Sequence, residues 1–388
     1  MKTLSVIASL LFINICSAQP PENQYLNNSV INNSVITPVQ NEEQELEEQT
    51  IQVKDNSNKS ERKKLETGKY KSAKGYSSQS IQSSRIIEIE YRKSKTQVSS
   101  RMTKPESQEL MERELDKLAG DSEASFEYHL YNYTLGNYDL KREESLSQAE
   151  GLRPNDQRVL VQKVANECVK GDTISTKFYL QKLMGTKSLV METLDYAEDV
   201  LVSSKGNDIL ITHGTNDTYG ILYHQVNSPE YGSHEILVVS LDFLRSPYYR
   251  ELLYKKGIKV PSSKAINTDY FKEFCALNSD KKIAVSLTLP IDYLRRIAPF
   301  STPYGLVLIT GNQKALCLTD LEKLWNNQLN KRNLTVHKSK LAQNYARNYK
   351  PSKVLLERFH EQQNSSPYIS APNKLKPHKI KEGVSDKH

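Results

Sequence analysis

The sequence predicts an α/β fold: a small parallel or mixed sheet flanked by helices, preceded by α-helical hairpins and a long disordered N-terminal arm. Three observations lead there. Between residues 189 and 362, short apolar runs ending in turn residues alternate with stretches of helical spacing, as in strands covered by helices. Between residues 105 and 188, apolar residues recur at helical spacing and are punctuated by Gly, Pro and Asn-Asp turns. Residues 19–104 and 363–388 are dominated by polar and charged side chains that cannot bury a core. This partition accounts for an apolar fraction of only 37% over 388 residues.

Residues 1–18 read as a signal peptide. Lys2 supplies the positive start, Leu4 to Ile15 a short apolar run, and Cys16-Ser17-Ala18 the small residues before cleavage at Gln19. An uncleaved anchor and lipidation of Cys16 are the alternatives, although Ile15 stands where a lipobox has a small side chain. No other run is long enough to cross a bilayer as a helix, so no transmembrane segment is expected in the mature chain. Loss of the leader removes one Lys and no acid, taking the net charge from +7 to +6. The charges are mixed rather than gathered in a basic stripe, which argues against nucleic acid as a partner. Cys168, Cys275 and Cys317 remain, at spacings that match no zinc site; they read best as three buried, apolar-like thiols.

In the arm, an acidic knot, Glu42 to Glu48, precedes a basic stretch, Lys59 to Lys74. Ile87, Ile89 and Tyr91 alternate with Glu88 and Glu90, the pattern of a half-buried strand, isolated or added to a sheet edge. Pro105-Glu106 then opens a helix carrying Leu110, Met111, Leu115 and Leu118, which ends at Gly120-Asp121. Phe126, Leu130 and Tyr133 mark the next helical face, Gly136-Asn137-Tyr138 a turn, and Leu146, Ala149 and Leu152 the following helix, closed by Pro154-Asn155-Asp156. A second unit carries Leu160, Val164, Gly171-Asp172, Leu180 and Leu183. Two such units resemble degenerate tetratricopeptide repeats, whose period is ~34 residues and which need about three units to stand alone. The resemblance implies either a peptide-binding groove or a helical support packed on the α/β part of the chain.

Four strands are predicted: Asp208 to Thr212, Glu235 to Ser240, Lys282 to Thr288, and Gly305 to Ile309. Helices are expected from Asp217 to Val226, through Tyr249 to Tyr254 with Asp242 or Ser246 as cap, and over Asp320–Leu329 and Ser339–Gln362.

Thr212-His213-Gly214-Thr215-Asn216-Asp217-Thr218-Tyr219-Gly220 is the most unusual local sequence. It leaves a strand and enters a helix, where open α/β sheets place ligands. Gly214 permits a tight turn; Thr215, Asn216 or Asp217 can cap the helix; the first amides favour an anion. His213 and Asp217 could add acid–base chemistry. The same residues also suit a turn for backbone reasons alone. Phosphate-loop, dinucleotide, nucleophile-elbow and HExxH motifs are missing. His213, His224 and His234 are nearly evenly spaced but fall in a turn, a helix and a loop, a poor metal set. Tyr219, Tyr223, Tyr248, Tyr249 and Tyr254 could stack on a ligand or serve the core.

The run Asn207 to Tyr223 resembles a signature of the protein O-mannosyltransferase-like membrane proteins of Bacteroidota, in their soluble carboxy-terminal region. Ile236 to Ser240 with Leu241-Asp242-Phe243-Leu244 and Tyr248-Tyr249, then Ile283 to Asp292, and Pro303 to Val307 are similar to the later segments of that region, so the likeness covers roughly residues 190–360. His213 and Thr215 stand where the family has Asn and Asp, which leaves the turn one carboxylate fewer. The resemblance implies a periplasmic accessory domain without the membrane half that would carry glycosyl transfer.

The expectation is an exported, non-catalytic binding or scaffold protein of the bacterial cell envelope, periplasmic or secreted, with envelope proteins as partners. The alternative is a glycan- or phosphate-handling enzyme or lectin-like module. Its site would be His213, Gly214, Thr215, Asn216, Asp217 and Thr218, with Tyr219 and Tyr223. No catalytic residue, metal or cofactor is assigned.

Overall fold

The computed structural model describes residues 77–96, 105–122, 124–186, 188–228, 236–263, 265–311 and 317–365. The expected signal peptide, residues 19–76 and 97–104 of the arm, and the tail from 366 lie outside the described residues. The described part is mostly helical, with one small mixed sheet, an α/β fold.

The first element corrects the reading of the arm. Ser78–Thr96 is a helix, α1, and not disordered chain with a strand. Ile87 and Tyr91 alternate with Glu88 and Glu90, but they are also four residues apart and so share a helical face. Ile87 is fully buried, whereas Ile89, on the other side, is exposed. A partner decides between the two periods. Helix α2, Pro105–Ser122, lays Met111, Leu115 and Leu118 against Ile87. Ser83 Oγ donates to Glu114 at 2.8 Å, and Ser107 Oγ to Glu90 at 2.9 Å.

Two helical pairs come next: α3, Phe126–Leu135, with α4, Glu143–Leu152, and α5, Gln157–Lys170, with α6, Thr173–Gly185. Ser125, Asp156 and Asp172 cap α3, α5 and α6 by accepting from the backbone of Tyr128, Arg158 and Ser175. Tyr133 Oη donates to Asn166 at 3.0 Å, tying the pairs together. Leu152, expected on the inner face, is instead 51% exposed. The second pair is not free-standing. Leu160, Val164, Leu180 and Leu183 share one core with Ile209, Ile211, Ile283 and Phe271.

Helix α7, Met191–Ser203, leads into strand β1, Ile209–Thr212. Helix α8, Thr215–Asn227, connects it to β2, Leu237–Ser240. Then come α9, Pro247–Lys255; α10, Thr268–Leu277; β3, Lys282–Ser286; α11, Ile291–Ile297; β4, Thr302–Tyr304; and β5, Val307–Gly311. The sheet order is β2-β1-β3-β5-β4, with β1 parallel to β2 and β3, and β5 antiparallel to β3 and β4. Ile209 and Ile211 face the core shared with α5 and α6, while Leu210, Val238 and Ala284 face α7 and the C-terminal helices. Both faces are covered, which is why these strands read as continuous apolar runs. The β4–β5 hairpin turns at Gly305, whose φ of 59° suits glycine.

The C-terminal layer is α12, Leu318–Asn327; α13, Arg332–Thr335; α14, Lys340–Arg347; and α15, Lys350–Ser365. The single helix expected over Ser339–Gln362 is broken, with Pro351 in the first turn of α15. Two acids on α7 organise this layer. Asp199 accepts from the backbone of Asn330 and Lys331 and from Tyr349 Oη at 2.6 Å. Asp195 accepts from Arg332 at 2.9 Å and contacts His337 Nε2 at 2.5 Å. Tyr196 stacks on Tyr345, ring centres 4.2 Å apart. The thiols Cys168, Cys275 and Cys317 are all free. Cys275 is buried and Cys168 half-buried, and desolvation pushes both thiols up to about 12. Cys317 corrects the expectation of three buried thiols. It precedes α12 and is exposed.

Candidate functional site

The parallel strands β2, β1 and β3 all point their carboxyl ends at one edge, and each ends in a hydroxyl: Ser240, Thr212 and Ser286. The chain runs outward from β1 to β2 and then crosses back to β3, so the strand order reverses at β1, the usual place for a ligand crevice. The turn singled out in the sequence lies there. Gly214, with φ 77°, occupies the N-cap position of α8, where Thr215, Asn216 or Asp217 was expected, and no side chain caps the helix start. Glycine has no side chain to cap with; its own amide donates to Asp242, from the turn after β2, at 2.8 Å. Asp242 is therefore not the cap of α9, and Ser246 gives no side-chain cap there either. Ser246 Oγ donates instead to Tyr138 O at 3.0 Å.

Asp217 is 5% exposed and fills the β1–β3 crevice. Thr288 Oγ1 donates to it at 2.7 Å, Ser286 Oγ at 3.3 Å and the His213 N–H at 3.3 Å. Burial pushes its carboxyl up to about 6; Thr288, the His213 amide and Ser286 pull the other way. Beside it, the hydroxyls of Thr212 and Thr218 are 2.9 Å apart, and Thr218 donates on to Ser240 at 3.4 Å. Both carboxylate oxygens of Asp217 are thus met from inside the protein. The group works as a clamp joining the β1 turn to the end of β3.

His213, Gly214, Thr215 and Asn216 are half-buried at the rim. Tyr219 is core: its hydroxyl donates to Val161 O at 2.7 Å and links α8 to α5. Tyr223 is half-buried against the core rather than at the turn. The structure joins Asp217 and Thr218 to β2 and β3 residues; Tyr219 borders the cleft beside the turn, and Tyr223 packs on the core away from it. Of the histidines, His224 Nε2 lies 2.9 Å from Leu194 O, and His234 is outside the described residues. Among the described residues no group of His, Cys, Asp and Glu could hold a metal.

A narrow cleft opens next to the turn, where the helical pairs meet the sheet edge. Gly214, Thr215, Thr218, Tyr219, Ser240, Asp242 and Phe243 line it from one side, Tyr138, Val161 and Gln162 from the other. It spans about 280 Å³ of space between atoms, part of it continuous with solvent; its enclosed portion is near the size of one water. Tyr138, Gln162 and Asp242 do not stand out as site residues in the sequence, because only the packing of the helical pairs on the sheet brings them here. The strand-terminal hydroxyls were a usable signal, since Ser240-Leu241-Asp242 and Ser286-Leu287-Thr288 repeat one pattern.

Compared with known protein families, curated proteins and solved structures, the chain matches none.

Proposed function

We propose that the chain is an exported, non-catalytic binding or scaffold protein of the bacterial cell envelope, similar to the soluble region of the O-mannosyltransferase-like proteins, and that the outer face of α6 engages a protein partner. The observation that carries the reading is on that helix. Ile174 is 85% and Phe178 53% exposed, one turn apart on one face. Lys182 Nζ lies 5.5 Å from the Phe178 ring centre, and Lys177 is exposed beside it. Large apolar residues grouped on a surface and rimmed by charge mark interaction sites. The lysines favour a partner with an apolar anchor flanked by carboxylates. The internally satisfied clamp at Asp217 further favours binding over catalysis at the strand-to-helix turn.

Site-specific photo-crosslinking of the full chain in cells tests this. A crosslinker at Phe178 should capture a discrete envelope protein, and one at His213 should not. Capture at His213 with none at Phe178 would favour the glycan- or phosphate-handling alternative and overturn the proposal.

A further inference from the structure

The C-terminal layer gathers positive charge that the rest of the chain does not carry. Residues 331–356 contain seven Lys and Arg and no Asp or Glu. From residue 331 to the end there are thirteen Lys and Arg against four Asp and Glu. That excess of nine is larger than the net +7 of the whole chain, so residues 1–330 are together slightly acidic.

The fold turns this excess outward. Leu341, Ala342, Asn344 and Tyr345 bury one side of α14. Lys340, Gln343 and Arg347 are left exposed, three and four residues apart and so on one helical face. Gln343 Nε2 donates to Lys338 O at 3.3 Å, which seats the exposed Lys338 at one end of that face. At the other end Tyr349 N donates to Ala346 O and Lys353 N to Tyr349 O, which carries the chain into α15 with Lys350 and Lys353 exposed. Arg332 pairs with Asp195, and Lys353 lies 3.8 Å from Glu357. Lys338, Arg347 and Lys350 make no ion pair among the described residues. Leu334 and Val336, just before Lys338, are both exposed.

We propose that this face docks on an anionic membrane surface, with Lys338, Arg347 and Lys350 meeting the headgroups of acidic phospholipids. The cations stand in a row about 15–18 Å long instead of converging on one point, which suits a plane of like charges better than a single anion. Their long stems lie along the surface with the charged ends outward, and Val336 and Leu334 add apolar side chains for the boundary between headgroups and acyl chains. The α14 face and the outer face of α6 lie on opposite sides of the sheet. Tyr345 shares a core with Leu210 and Ala284, whereas Leu180 and Leu183 share one with Ile209 and Ile211. Docking through α14 therefore leaves α6 turned away from the membrane, and it does not rest on α6 binding a partner.

The test is co-sedimentation of the full chain with phosphatidylcholine vesicles, pure or with about 30% phosphatidylglycerol, in about 0.1 M NaCl. Wild type should bind the anionic vesicles at least tenfold more strongly than the neutral ones and lose that preference in about 0.5 M NaCl. Lys338→Gln/Arg347→Gln/Lys350→Gln should bind the anionic vesicles at least tenfold more weakly, with Tm within about 1–2 °C of wild type because all three side chains are exposed. The control is Lys374→Gln/Lys376→Gln/Lys379→Gln/Lys381→Gln, beyond α15. Binding lost in the control but unchanged in the α14 variant overturns the proposal, as does equal binding of wild type to both kinds of vesicle. Wild type that ignores vesicles but is retained on polyglutamate, with retention lost in the α14 variant, overturns it in favour of an acidic protein. Vesicle binding that appears only when Glu42, Glu43, Glu45, Glu47 and Glu48 are all changed to Gln overturns it in favour of this chain's own acidic segment.

Discussion

Replacing Asp217 by Asn turns the clamp at the β1–β3 crevice into a measurement. The carboxyl is buried and its pKa stands at about 6 instead of 3.8, with burial the largest cause. An acid that holds its proton more tightly in the folded chain than in the unfolded one adds stability below about pH 4. That contribution is lost as the pH climbs through 6. The interval from 3.8 to about 6 corresponds to roughly 3 kcal/mol, of which about 1.3 kcal/mol falls between pH 5 and pH 7. Asn keeps the shape and one acceptor oxygen but does not titrate, and the other titrating groups cancel in the difference between the two proteins. Urea denaturation of wild type and Asp217→Asn at pH 5 and pH 7 should therefore show the variant gaining about 1 kcal/mol on wild type as the pH rises. A difference independent of pH would refute the argument. A gain by wild type would mean that Asp217 is an ionised group stabilised by the site, as a catalytic carboxylate would be.

Three further outcomes are expected from the packing. Gly305→Ala should lower stability by about 2–4 kcal/mol in thermal or urea unfolding. Its φ is 59°, and an added Cβ would lie 2.1 Å from Ser203 Oγ, which already bonds Asp199 O and Leu306 N. Tyr349→Phe removes the 2.6 Å hydrogen bond to Asp199 and should cost about 1–3 kcal/mol, since a buried carboxylate loses one of its three donors. Of the thiols at 168, 275 and 317, only Cys317 should react with a maleimide in the folded chain; mass mapping of the labelled peptides reads this, and labelling of Cys275 at the same rate would contradict the fold.

The parts of the fold that showed in the sequence are those where one periodicity had no rival. Strands β1, β2 and β3 are buried on both faces, so Ile209-Leu210-Ile211 and Ile283-Ala284-Val285 could be nothing but short apolar runs. Residues 87–91 fit both a strand and a helix, and contact with α2 decides, which no local pattern contains. Helix α7 is hidden because Asp195 and Asp199 interrupt its apolar stripe; both face inward and are met by groups more than 130 residues away. Strand β4, three residues with Pro303 at its centre, has no strand signal at all. At the site, Asp217 and Gly214 were legible as turn residues. Thr288, Asp242 and Tyr138 were not, since their places depend on the β1–β3 pairing and on how the helical pairs pack against the sheet.

The most direct test of the proposed function is affinity capture from an envelope extract of the cells that produce the chain, with the full chain and with Ile174→Glu/Phe178→Glu. Both side chains are solvent-facing, so the double variant should keep the wild-type Tm within about 1–2 °C. The account predicts a discrete partner recovered by wild type and reduced at least tenfold with the variant. Equal recovery by the two proteins would contradict it.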